Sequence, residues 1–250
     1  MPNWAKGAVL PILLIAVWEY AARFSRVKYE AMSSPSAVLY STVTGLADGS
    51  ILLATWQTME ASLFGLVIAI VGGIAIGTLA GISRIAELAT MPTVEALRPI
   101  PSVAFIPLTL LMFGYGLPME GLIVAYACIW PVLIATSDAV QRIEPRLMEV
   151  ADALQMSAWE RFTKIILPAA LGRVLVGIRI AIGFALVVAV TVEIAVNPRG
   201  LGYSLIMAQQ KYDVAFMYAQ LLWLGLMGIA INAAIGRLGT ADGSRAGGHL

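Results

Sequence analysis

Residues 149–168 read EVADALQMSAWERFTKIILP, a polar amphipathic island set between long apolar runs. Pro145, just upstream, suits the first turn of a helix, where a missing N–H costs nothing, and Leu147, Val150 and Leu154 then share one helical face. Ser157 and Glu160 make the S-x-x-E pattern of a capping box, so a second short helix starts there and carries Trp159 and Phe162 as bulky apolar knobs. Pro168 marks a break before the next apolar segment. Taken by themselves, these residues would equally suit an amphipathic loop lying on lipid headgroups.

The rest of the chain decides the setting. Of 250 residues, 60% are hydrophobic and 12% charged, and the mean hydropathy is +0.86. A soluble domain carries about 25% charged residues, so this is an integral membrane protein surrounded by lipid bilayer. A net charge of +1 argues against nucleic acid as a partner. Cys128 is the only cysteine, which excludes a disulfide framework and a cysteine metal site, and the only histidine, His249, lies next to the C-terminal residue. No zinc motif, Cys–His pair or Ser–His–Asp triad can be assembled. None of the four lysines is followed by Ser or Thr, so no Walker A loop is present. The chain reads as a non-catalytic subunit with no cofactor of its own.

A helix needs about 20 mostly apolar residues to cross a bilayer, and six spans are expected in an all-α, single-domain chain. They are Trp4–Ala22, Thr55–Ile82, a proline-broken Ala89–Phe113, Leu122–Val140, Val174–Val196 and Ala215–Leu238. The domain's core is 55–238, preceded by a retained first span and an outer loop with a surface helix after SSPSAV, and followed by a flexible cytoplasmic tail, 239–250. Pro92, Pro99, Pro101 and Pro107 prevent one straight third helix. Orientation follows from the cations. With the N-terminus inside, Lys6, Arg84, Arg98, Arg142, Arg146, Arg161, Lys164, Arg173, Arg237 and Arg245 face the cytoplasm, against Arg23, Arg26, Lys28, Arg199 and Lys211 outside. Both termini are therefore expected inside, and residues 149–168 with them.

Small residues recur at every fourth position, as Gly65, Ala69, Gly73, Gly77 and Gly81 and again as Gly177, Ala181, Ala185 and Ala189. Such ridges let helices approach closely within one chain, the alternative being a pore lining or a dimer seam. Glu193 continues the second ridge, either as a functional carboxylate or as one that is solvated or bonded to a neighbouring helix. Arg179 falls between one and two turns into the fifth span, and Asn232 on a Gly228–Gly236 ridge is expected to bond across helices.

The order E-x-A-x-x-L, a turn, and an aromatic-bearing helix closing on I-x-L-P resembles the cytoplasmic EAA loop of ABC importer permeases. The run EALRPIPSVAFIPLTLLMFGYG (95–116), with GIRIAIGFALVVAVTVEI and GLGYSLIMAQQ further on, is similar to the nitrate/sulfonate/taurine branch of that family. The resemblance implies a bacterial inner-membrane permease of the type I importer fold, working as a homodimer. It also implies ABC ATPase subunits that bind ATP and Mg, an extracytoplasmic solute-binding protein, and a small anion of the sulfonate, nitrate, taurine or aromatic-carboxylate kind as cargo. The residues it assigns to ATPase coupling are Glu149, Ala151, Asp152, Leu154, Gln155, Met156, Ser157, Trp159 and Phe162. Arg179, Glu193 and Asn232 are the candidates for the translocation pathway, the first and last having a structural alternative. Two positions depart from the family pattern: Ala61 stands where relatives often carry Arg, and Gln155 where they carry the turn glycine. A Cβ in a left-handed turn costs about 1–2 kcal/mol, so a looser turn is expected at Gln155. The reading from a different class is a self-sufficient ion-coupled carrier or channel using Glu193 and Glu60.

Overall fold

The computed structural model describes residues 3–24 and 32–246, with side chains over 9–24 and 32–236. Lys6, Arg26, Lys28, Arg237, Arg245 and His249, all weighed above, lie outside the described side chains. All regular structure among the described residues is helical. The order is α1 (Asn3–Phe24), α2 (Pro35–Ala47), α3 (Ser50–Ile82), α4 (Arg84–Leu97), α5 (Ile106–Phe113), α6 (Leu117–Gln141), α7 (Pro145–Ala153), α8 (Ala158–Arg161), α9 (Leu167–Ala195), α10 (Gly200–Gln210) and α11 (Val214–Ala246).

Among the described residues, four helical stretches are long and apolar enough to span a membrane: Ser50–Ile82, Leu117–Gln141, Ala158–Gln210 and Val214–Gly236. Within the third, α9 is the spanning part. The pair Arg84–Leu97 and Ser102–Phe113, bent by 88°, adds a fifth if counted as one broken span. The bend falls at Arg98–Pro101, so Pro99 and Pro101 interrupt the helix, whereas Pro92 is absorbed inside α4 and Pro107 opens α5. The expected first span coincides with α1, whose opening side chains lie outside the described set, and it is outside this count.

The packing divides the chain into two units. One draws on Met1–Gln57 and Arg199–Leu250, and the other is Thr58–Pro198. In the first, Ser34 caps α2 by accepting from the Ala37 N–H, as SSPSAV predicts, and α2 and α10 each pack on α11. Trp18 of α1 meets Tyr218 of α11 with ring centroids 5.9 Å apart, and the Trp223 indole donates to Thr55 Oγ1 at 2.8 Å.

The second unit is built around α6, which lies between the two small-residue ridges. A Cβ on Gly73 would sit 2.8 Å from Val132 Cβ, and one on Gly77 would sit 2.6 Å from the Leu133 carbonyl oxygen. From the other side, a Cβ on Gly177 would come within 2.6 Å of Ala135 Cβ, while Ala181, Ala185 and Ala189 are all buried. Both ridges thus serve packing within one chain, because only small residues let three backbones stack this closely. The F-G-Y-G turn between α5 and α6 needs its glycines: Gly114 has φ 69° and Gly116 φ 126°, backbone that side chains rarely adopt.

Two expectations are corrected. Pro168 does not break the chain. Helix continues from α8 through one wide π turn, Phe162–Ile166, into α9, where Leu167 N–H bonds to the Phe162 carbonyl five residues back. The shifted hydrogen-bond register leaves no demand for the N–H that proline lacks. As a result α9 begins at Leu167, not Val174, and Arg179 lies near its middle instead of in its opening turns.

Candidate coupling segment and membrane cavity

Residues 145–166 assemble locally. α7 ends in a Schellman motif: Met156 N–H bonds to the Ala151 carbonyl and Gln155 N–H to the Asp152 carbonyl, both at 3.0 Å. Gln155 stands at φ 50°, so it adopts the left-handed turn that glycine usually fills, and the turn is as tight as the motif requires. The expectation of a looser turn is therefore corrected: two backbone bonds outweigh the cost of the Cβ. The capping box follows at once, with the Glu160 carboxylate accepting from the Ser157 N–H at 3.1 Å and Ser157 Oγ accepting from the Glu160 N–H at 3.3 Å. Lys164 Nζ lies 3.0 Å from Glu160, and Arg161 pairs with Asp152 to tie α8 to α7. The Lys164 ammonium, followed by the Ser157 N–H and hydroxyl, lowers the Glu160 carboxyl from its ordinary 4.5 to about 2.

The assigned coupling residues face two ways. Ala151 is fully buried, and Phe162 and Met148 pack on the cluster formed by Val140, Ile166, Ala170 and Val174. Phe162 is thus an inward anchor and not a projecting knob, because the π turn rotates its face toward α6 and α9. Trp159, ring-to-ring with Phe162 at 6.0 Å, is 71% exposed. Leu154 at 68%, Val150 at 52% and Leu147 at 42% are exposed as well, while Glu149, Asp152, Gln155 and Ser157 flank them as exposed polar groups and Met156 is half-buried. An apolar patch on a polar segment, held rigid by two caps, is the form of a protein contact surface.

The pathway candidates fall in both units, Arg179 and Glu193 in the second and Asn232 in the first. Arg179 and Asn232 are both exposed on the single chain, and Gly228 and Gly236 on either side of Asn232 have nothing within 4 Å of a would-be Cβ. The expected cross-helix bond of Asn232 is not made among the described residues. Glu193 is 2% exposed in α9, so the solvated alternative falls. Glu60 is half-buried.

Three groups were missed in the sequence. Glu120 is 2% exposed and accepts from the amide of Asn197, itself 1% exposed, so a buried polar link joins α6 to the end of α9. Starting the fourth span at Leu122 hid it. Pro118 in the first turn after Gly116 was the available signal that the helix begins earlier. Arg98, counted among the cytoplasmic cations, caps α4 at the bend and lines a cavity of about 730 Å³ with Tyr126, Trp130 and Phe184.

The family model for the binding-protein-dependent transport system inner membrane component matches residues 69–241, and the chain belongs to that family. It is a multi-pass permease of the ABC importer class, in the nitrate/sulfonate branch. The SsuC permease protein of Bacillus subtilis (strain 168), named for aliphatic sulfonates transport, is 29% identical over 94% of this chain and 83% of its own. The bicarbonate transport system permease protein CmpB of Synechococcus elongatus is 31% identical over 71% of this chain and 65% of its own. The nitrate import permease protein NrtB of Leptolyngbya laminosa is 29% identical, over 72% and 66%. In fold, the chain is similar to an inward-facing structure of the MetNI methionine ABC transporter, with a TM-score of 0.62 and 24% identity over 84% of this chain and 99% of that one.

Proposed function

We propose that this permease imports a small anion, delivered by an extracytoplasmic solute-binding protein, and that two copies of the chain work with two ATPase subunits that bind ATP and Mg at the cytoplasmic face. The exposed patch of Leu147, Val150, Leu154 and Trp159 carries the reading, because it supplies an apolar surface on the one long polar segment. The relatives named for sulfonates, nitrate and bicarbonate support a small anionic cargo. ATP-driven closure of the ATPases pushes the α7–α8 segment and shifts the spans between inward-open and outward-open states, and this requires the segment to bind its ATPase differently in the two states. Membership in a binding-protein-dependent family speaks against a self-sufficient carrier working through Glu193 and Glu60.

The experiment is co-purification of the chain with its partner ATPase. Leu154→Ala with Trp159→Ala removes the projecting anchors and leaves Phe162 in the core. Loss of two interface anchors worth about 2 kcal/mol each weakens the complex by roughly a hundredfold or more. Undiminished complex and undiminished coupling of ATP hydrolysis to uptake would sink the docking role.

A further inference from the structure

The cavity beside the α4–α5 bend has features that packing alone leaves unused. Arg98 lines both it and a second cavity of about 480 Å³ bordered by Met91, Val94, Glu95 and Pro99, so the residue stands where the two hollows meet. Its position is fixed from behind. Tyr126 Oη donates to the carbonyl of Leu97, the residue before Arg98, at 2.6 Å. Phe105 and Trp130 bracket Tyr126 at ring distances of 4.6 and 5.2 Å.

The ion pairs among the described residues take up Arg23, Arg84, Arg142, Arg161, Lys164 and Arg173, and none includes Arg98. Glu95, the carboxylate of the second cavity, comes into no ion pair with it. The carboxylate of the first cavity, Asp138, is already balanced by Arg142 at 2.9 Å and Arg173 at 3.5 Å. Among the described residues, Arg98 is therefore the cation on this lining that no carboxylate balances. The Trp130 indole N–H has no acceptor among the described residues but is itself closed off from the cavity, so Trp130 lends the lining its ring. Apart from Ser102, the remaining wall is apolar, with Ile134, Ile180 and Phe184 on it.

We infer that this cavity is a binding site for an organic anion, its charged head on Arg98 and its apolar body against Phe184 and the isoleucines. The inference rests on the anion-importer reading and narrows it. A bare inorganic anion would leave the apolar wall without a partner, whereas the volume lies within the range of about 300–1,000 Å³ usual for small-molecule sites.

The test uses the chain in complex with its ATPase, in nanodiscs of zwitterionic lipid, and equilibrium dialysis with labelled benzenesulfonate. Saturable binding is expected, with nitrate competing far more weakly and neutral benzenesulfonamide not at all. A charged hydrogen bond is worth about 1.5–3 kcal/mol, so Arg98→Gln weakens binding by roughly tenfold to a hundredfold, and Arg98→Lys restores part of it. Unaltered affinity in Arg98→Gln, nitrate binding as tightly as benzenesulfonate, or non-saturable partition into the lipid would each overturn the proposal. Co-elution with the ATPase reports separately: failure of the unmodified chain to form that complex overturns the importer reading itself, independently of any ligand.

Discussion

At position 155 a glutamine holds φ 50°, and Tyr212 at the end of α10 does the same at φ 56°. Both close Schellman motifs; at Tyr212 the bonds are Tyr212 N–H to the Gln209 carbonyl and Asp213 N–H to that of Ala208. Gln155→Gly relieves the Cβ strain but adds backbone freedom to the unfolded chain, so a net gain of about 0.5–1 kcal/mol is expected, read as slower hydrogen exchange across α7. Glu160 gives a pH dependence. Its folded value is depressed, so the capping box contributes fully above the ordinary 4.5 and is lost as pH falls from there toward about 2. Hydrogen exchange at residues 157–160 should accelerate over that window, and Glu160→Gln should abolish the pH dependence; an unchanged profile in the variant would assign it to another group. The capping box was legible in the sequence because it depends on four consecutive residues. The direction of Phe162 was not, since it is set by α6 and α9, which are distant in sequence.

Among the elements, α6 is the one the second unit is built on, and the spacing of its neighbours' small residues announced that. Gly77→Ala puts a methyl 2.6 Å from the Leu133 carbonyl oxygen and 2.7 Å from Thr136 Cβ. Overpacking of this kind costs about 1–3 kcal/mol, and the thermal midpoint in detergent should fall. Gly172→Ala in α9 is the matched control: nothing lies within 4 Å, and exchanging a helical glycine for alanine gains about 0.8–1 kcal/mol. If the two variants behave alike, the ridge is not a packing device. The helix starts were read less well. Periodicity locates where a helix is apolar, whereas α6 begins with Leu117–Pro118–Met119–Glu120 and α9 grows without interruption out of α8, so their first turns, each carrying a proline, were assigned to loops. Pro168 misled because proline ordinarily ends a helix, and nothing local foretells a π turn.

For the whole molecule, hydropathy gave the membrane setting and the long helices, and the cation count gave an orientation that can be checked directly. Cys128 is buried, with its Sγ donating to the Ala181 carbonyl at 3.2 Å, so Cys128→Ala provides a cysteine-free background. On it, Gln155→Cys should react with an impermeant thiol reagent only from the cytoplasmic side and Tyr212→Cys only from the outside; the opposite pattern would invert the topology. What the sequence left hidden at this scale is long-range: the 88° bend that carries Arg98 to a cavity, and the exposure of Asn232 among the described residues. The unbroken run from Ala158 to Ala195 has one more property. At 1.5 Å per residue it is a shaft of about 57 Å with Trp159 at one tip and Glu193 near the other. Levers convert angle into distance, and over such a length a tilt of only about 5° carries the far tip through about 5 Å. The wide turn at Phe162–Ile166, one residue looser than the helix on either side, is the joint at which that tilt would be taken up or lost.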